Sequence, residues 1–290
     1  RFGASADAVA AVRATLGHDG LTPGALAPDG LSIAVSGTAS QASRTFAVSL
    51  RRYRQGAGRQ VYANTTAPRV PAALGAVVQD VLGLDNLRAA APASLRRRAV
   101  PAIAHAASRP LTAGVGPAPC PAASSGTGPS GPYTIDQVAR AYGMGGLYSS
   151  DDLGAGVTVA LYELEPYAPS DLGVFQTCFG TNASVTDIPV DGGPGSSGPG
   201  SGETALDLDN LIGVAPSSRV EVYQGPNAGA GIYDTFARIV NDNTAQVISD
   251  SWGLCEPQTP PAELIAENTL FQQAAVRGQS ILVATGDSGS

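Results

Sequence analysis

From Ile135 onward, short β-rich runs and helical stretches take turns, and few folds accommodate that alternation. Helical periodicity covers Ile135 to Tyr142, Pro169 to Thr177, Tyr233 to Asn241 and Ala262 to Arg277. Between them lie apolar, β-branched runs at Val157 to Tyr162, Val220 to Tyr223, Val247 to Ser251 and Ser280 to Ala284. Strands separated by single helices with short connections predict a parallel sheet in a doubly wound α/β arrangement. The runs Val247-Ile-Ser-Asp-Ser-Trp-Gly253 and Ile281-Leu-Val-Ala-Thr-Gly-Asp-Ser-Gly-Ser290 each end in a small-residue turn with a polar group at its tip. In a parallel sheet such tips lie at the carboxyl ends of the strands, where sites are built.

One more helix is expected in Ser201-Gly-Glu-Thr-Ala-Leu-Asp-Leu-Asp-Asn-Leu-Ile-Gly213, with Ser201 as N-cap, because Asp191 to Gly200 is too rich in Gly, Pro and Ser to be helical. On that helix Glu203 and Asp207 share a face, Asp209 points away, and Leu208, Leu211 and Ile212 form an inward stripe. Two carboxylates able to share a proton supply general acid or base chemistry. Taken alone, such a pair is more often solvated helix surface.

The three motifs together resemble the sedolisin family, the serine-carboxyl peptidases. That family has a Gly-Glu-x-x-x-Asp helix, a Ser-Trp-Gly strand end and a Gly-Asp-Ser-Gly turn, and all three stand here in order. The resemblance implies a subtilisin-like doubly wound parallel sheet, incomplete in this chain and preceded by a small α+β prosegment. It implies that Glu203 is the general base, that Asp207 supports it, and that Asp287 serves the oxyanion hole. An Asx-type turn is the alternative reading of Asp287. Glu163, in Leu161-Tyr-Glu-Leu164, and Trp252 match supporting residues of the base's network, although a buried Trp is more often core. A carboxylate base and a protonated Asp287 both imply work in acid. The family's Gly-Thr-Ser-Ala-x-x-Pro nucleophile motif and later calcium loop are not in the chain. Ser288 and Ser290 belong to the oxyanion turn, so no serine here is assigned as nucleophile. No cofactor is expected in this stretch, and calcium is expected in the full-length family fold. The implied activity is that of a secreted, acid-acting endopeptidase precursor, with polypeptide substrates and the prosegment as its intramolecular inhibitor. The alternative is a prosegment-based inhibitor or chaperone without catalysis.

Residues 1–88 read as the α+β prosegment. Helices are expected at Ala4 to Leu16, Ser40 to Leu50 and Pro71 to Val81, with strands at Leu31 to Val35 and Arg59 to Asn64. Gly30-Leu-Ser-Ile-Ala-Val-Ser-Gly37, Phe46, Tyr62-Ala-Asn and Val81-Leu-Gly-Leu-Asp85 are similar to sedolisin prosegments. Residues 89–131 form an Ala, Pro, Ser and Gly linker with Arg96-Arg97-Arg98, where maturation cleavage is expected, and 132–290 form the catalytic part. Residues 1–130 hold 13 Arg against 5 Asp and no Glu, a formal charge of +8, while 131–290 hold 4 Arg against 19 acidic residues, or −15. The chain has no lysine, which excludes a Walker-type phosphate loop. His18 and His105 sit in unpromising surroundings, so a His-dependent triad is hard to place. No apolar run approaches membrane-span length, and neither a nucleic-acid nor a membrane partner is expected. Three cysteines suggest a secreted, disulfide-bonded protein. Cys178 and Cys255 both lie near loops of one sheet and are expected to pair, leaving Cys120; three free, buried thiols are the alternative.

Overall fold

The computed structural model describes residues 3–56, 58–92, 116–125 and 133–286. The amino-terminal unit is built from two helices and two antiparallel ribbons. Helix α1 (Ala6–His18) is capped by Ser5, whose side chain accepts from the Ala8 amide. Strands β1 (Thr22–Leu26) and β2 (Ile33–Ser36) form the first ribbon. Helix α2 (Ala39–Thr45) starts with a capping box between Thr38 and Gln41. Strands β3 (Leu50–Gln55) and β4 (Arg59–Asn64) make the second ribbon. Leu16, Leu21, Phe46 and Val48 form the small core, with Val12, Ala42, Leu50, Val81 and Leu84 against it.

Two expectations fail in this unit, and a strand goes unforeseen. The second helix stops at Thr45 instead of Leu50, because Ala47 takes a left-handed φ of 51° and turns the chain into β3. β3 escapes sequence reading because its Arg51, Arg52 and Arg54 face solvent and leave no apolar alternation. The helix expected from Pro71 shrinks to one 3₁₀ turn, Ala72–Leu74, with no side-chain cap and only Leu74 buried.

A two-residue strand β5 (Ala91–Pro92) leads out of this unit, and α3 (Pro121–Ser125), α4 (Ile135–Ala141) and α5 (Gly145–Ser149) lead into the sheet. The sheet body then alternates β6 (Thr158–Glu163), α6 (Pro169–Phe179), β7 (Ser184–Pro189), α7 (Glu203–Val214), β8 (Arg219–Gln224), α8 (Gly231–Asp242) and β9 (Val247–Asp250). The bridge strand β10 (Trp252–Gly253), α9 (Pro261–Val276) and β11 (Ser280–Val283) follow. Five strands form one parallel sheet in the order β11-β9-β6-β8-β7. β6 is central, and every residue from Val159 to Glu163 is buried. Period-two alternation sends its side chains to two cores. Ala160 and Tyr162 pack with Phe236, Ile239 and Val240 of α8 and with Leu270 and Ala274 of α9. Leu161 packs with Val220, Val222, and Leu208 and Ile212 of α7. Both faces are therefore covered, and what emerges from the carboxyl end of β6 enters protein rather than water.

The expected cysteine pairing is wrong. Cys178 bonds Cys120, with Cα atoms 4.9 Å apart, and Cys255 is free and exposed. Topology gives the reason. A helix between parallel strands runs back across the sheet, so Cys178, at the end of α6, sits by the strands' amino ends. Cys255 follows β10 at the carboxyl ends. A strand length of roughly 17–20 Å separates those edges, far beyond the Cα spacing of about 7 Å that a disulfide tolerates.

Candidate active site

The site begins with Glu163, which closes β6 and is wholly buried. Its Oε2 accepts from Trp252 Nε1 at 2.9 Å and from Thr204 Oγ1 at 2.8 Å. Trp252 opens β10 directly after β9, whose Asp250 Oδ1 accepts from the Trp252 amide at 2.8 Å. Neighbouring parallel strands thus place a carboxylate and an indole at the same sheet edge.

Helix α7 brings the other acids. Its first residue is Glu203 and its N-cap is Gly202, with no side-chain cap bond, so Ser201 is not the cap. Glu203 is buried in the first helical turn, where the helix dipole favours a carboxylate. Asp207 follows one turn later on the same face and is hydrogen-bonded to Ser251 and Glu163. Leu208 and Ile212 point inward as expected, with Leu211 packed against the same core. The glycine-rich loop before α7 is held by Glu165, which accepts from the Gly198 amide at 2.8 Å. Gly200 has to be glycine: a Cβ there would lie 2.5 Å from the Trp252 ring.

Burial dominates the electrostatics. It pushes Glu163 well above the carboxylate range, reinforced by Asp207 and opposed by the Trp252 and Thr204 hydrogen bonds. Asp207 is also raised by burial, against the hydrogen bonds from Ser251 and Glu163. Asp250 is raised to about 8 by burial, against the Trp252 amide, with Glu267 and Asp207 adding to the rise. Glu163 Oε1 and Asp207 Oδ2 are buried without a donor, a state that one proton shared between the two carboxyls satisfies.

The structure therefore brings Glu163, Glu203, Asp207 and Trp252 together. Asp287, Ser288 and Ser290 lie outside the described residues, as does most of the 89–131 linker. Sequence reasoning missed Thr204, Ser251 and Asp250. Asp250 and Ser251 stood in the strand-end turn already singled out, whereas Thr204 gave no signal of its own. Among the described residues, no group of three or more His, Cys, Asp or Glu is placed to hold a metal ion, so the calcium implied by the resemblance has no ligand set there.

The amino-terminal unit reaches this site. β5 pairs antiparallel with β10, Trp252 opposite Pro92 and Gly253 opposite Ala91. Ala90 exchanges two hydrogen bonds with the Asn227 side chain, at 2.7 and 2.9 Å. Arg88 donates to the Gln258 carbonyl at 2.8 Å and lies 3.9 Å from Glu263.

The chain is similar to known proteins over essentially its whole length. Residues 1–87 match the family model described as Pro-kumamolisin, activation domain. Kumamolisin from Bacillus sp. (strain MN-32) is 30% identical over 99% of this chain and 50% of its own length. Xanthomonalisin from Xanthomonas sp. (strain T-22) is 29% identical over the whole chain and 34% of its own length. Sedolisin from Pseudomonas sp. (strain 101) is 28% identical over 97% of the chain and 46% of its own length. The chain thus spans half or less of the length of these curated relatives.

Proposed function

The chain belongs to the sedolisin family, and from that premise we propose that it is the activation prosegment and amino-terminal catalytic part of a secreted, acid-acting serine-carboxyl endopeptidase. The fold we assign to the whole catalytic part is subtilisin-like and doubly wound, with calcium bound by sequence beyond residue 290. The attacking serine likewise lies beyond residue 290. Glu203 accepts the proton of that serine as it attacks the peptide carbonyl, and returns it to the leaving amine. Asp207 holds the base in place and passes charge to Glu163. Asp287, protonated in acid, donates a hydrogen bond to the developing oxyanion. Peptide substrates lie along β10, on the edge that β5, just after the prosegment, covers in the precursor. The prosegment is thus the enzyme's own inhibitor until processing in the linker.

The observation that carries this reading is the buried Glu163–Asp207 pair beside Glu203 and Trp252. Burying several acids together is costly unless protons are shared, and a functional site is where such an arrangement is retained. The test is acid proteolysis and self-processing by the full-length protein. Glu203→Gln is expected to lower both by at least about 100-fold. Retained activity in that variant would overturn the assignment.

A further inference from the structure

Thr204 follows Glu203 on α7 and is wholly buried. Its hydroxyl oxygen is 2.8 Å from Glu163 Oε2 and 2.8 Å from the Glu165 carbonyl oxygen. The hydroxyl has one hydrogen for these two acceptors. When Glu163 is ionised, the hydrogen belongs on its carboxylate, since a charged acceptor makes the stronger bond. Trp252 Nε1 donates to the same oxygen. Oε2 therefore faces two donors, while Oε1, also buried, faces none. Asp207 Oδ2 is likewise buried without a donor, and the two carboxyls are hydrogen-bonded to each other.

An oxygen that already accepts two hydrogen bonds is a poor place for a proton. We propose that Thr204 is a positioning residue of the proton relay: with Trp252 it occupies Oε2 of Glu163 and holds that carboxyl's proton on Oε1, facing Asp207. The transfer is balanced. The O–H bond at Oε1 breaks, one forms at Asp207 Oδ2, and the negative charge moves from Asp207 to Glu163, where the Thr204 and Trp252 donors meet it. Trp252 alone would leave that charge with a single donor. The charged groups acting on Glu163 are Asp207 and Glu203 of α7, both acidic. Tyr162 of its own strand feels its charge, and Asp250 of β9 feels that of Asp207.

The catalytic consequence rests on the peptidase reading; the placement of the proton does not. Trp252 is the only tryptophan of the chain, so its indole N–H gives one NMR resonance that needs no further assignment. Its shift is followed against pH in the full chain. Removing the Thr204 donor weakens the ionised form, so Thr204→Val is expected to move the midpoint upward by about one pH unit. Thr204→Ser restores the hydroxyl and the midpoint, and Glu163→Gln removes the step. An unchanged midpoint in Thr204→Val overturns the proposal, as does a serine variant that behaves like valine or a step that survives Glu163→Gln. Should the valine variant not fold, the Thr204 γ-methyl resonance of the unmodified chain decides. It titrates with the indole's midpoint if the hydroxyl answers to Glu163, and a silent methyl overturns the proposal. Failure of the peptidase reading shows separately, as a full-length protein without acid proteolysis, and failure of the Glu203 assignment as proteolysis that persists in Glu203→Gln.

Discussion

The prosegment and the sheet body handle charge in opposite ways. In the prosegment the arginines of β3 lie on the surface, and Asp80 is raised by burial. In the sheet body acids are pushed inside. Glu163 and Asp207 are raised, Asp250 is raised to about 8, and Asp209, Asp234 and Glu267 are raised to about 7, each mainly by burial. Glu263 is also raised by burial, and here a cation opposes the rise: Arg88, at the prosegment's end. The buried acids of the sheet body favour their protonated forms, so its stability is expected to rise as pH falls.

The largest expected effect breaks that contrast at Asp250. Its folded pKa is raised above the unfolded value, so its contribution to stability is fully present below about 4 and lost as pH rises towards 8. Asp250→Asn keeps an acceptor for the Trp252 amide and removes the charge. Denaturant unfolding is expected to show this variant stabilised at pH 8, by at most on the order of 5 kcal/mol, and nearly unchanged at pH 4. A variant no more stable at pH 8 than at pH 4, relative to the parent, would show that the buried acids carry no strain.

The next effect concerns what ties the linker to the sheet body. Cys120 belongs to the short segment ahead of α4, and its bond to Cys178 closes a 58-residue separation in sequence. Loop-closure entropy gives such a link about 4 kcal/mol. Reducing it, or Cys178→Ala, is expected to lower stability by about that amount at either pH, whereas Cys255→Ser leaves it unchanged. Equal effects from the two single-cysteine variants would contradict the pairing.

The sheet body was readable because burial on both faces writes itself into sequence as apolar runs. Val220–Tyr223 and Val247–Ser251 fall within a residue or two of β8 and β9 at their ends. β7 was missed because it is an edge strand with only Val185 and Ile188 partly buried. β1 was missed because Pro23 and Gly24 interrupt it. The Glu203 and Asp207 pair was visible as spacing on one helix. Glu163 became part of that site only through the resemblance, since nothing in the sequence says that β6 and β9 are neighbours. The cysteine pairing failed for a related reason: both residues are near loops, but sequence does not show which edge of the sheet each loop occupies.

The smallest effect sharpens the contrast at the interface itself. Opposite formal charges of +8 over residues 1–130 and −15 over residues 131–290 favour docking of the prosegment at neutral pH, although each exposed pair contributes only about 0–1 kcal/mol. Arg88 is the specific contact, placed between Asp85 and Glu263 and bonded to the Gln258 carbonyl. As pH falls through the raised pKa of Glu263, that carboxyl loses its charge while Arg88 keeps its own, and the attraction fades. The β5–β10 pairing and the Asn227 bonds do not titrate. Acid is therefore expected to weaken the docking without abolishing it. Separated prosegment and catalytic part should bind more weakly at pH 4 than at pH 7, and more weakly in high salt at pH 7. Arg88→Ala should lower the neutral-pH affinity by roughly three- to tenfold and flatten its dependence on pH. Affinity that ignores both pH and salt, with Arg88→Ala indistinguishable from the parent, would show that docking is apolar and that the charge asymmetry serves solubility alone.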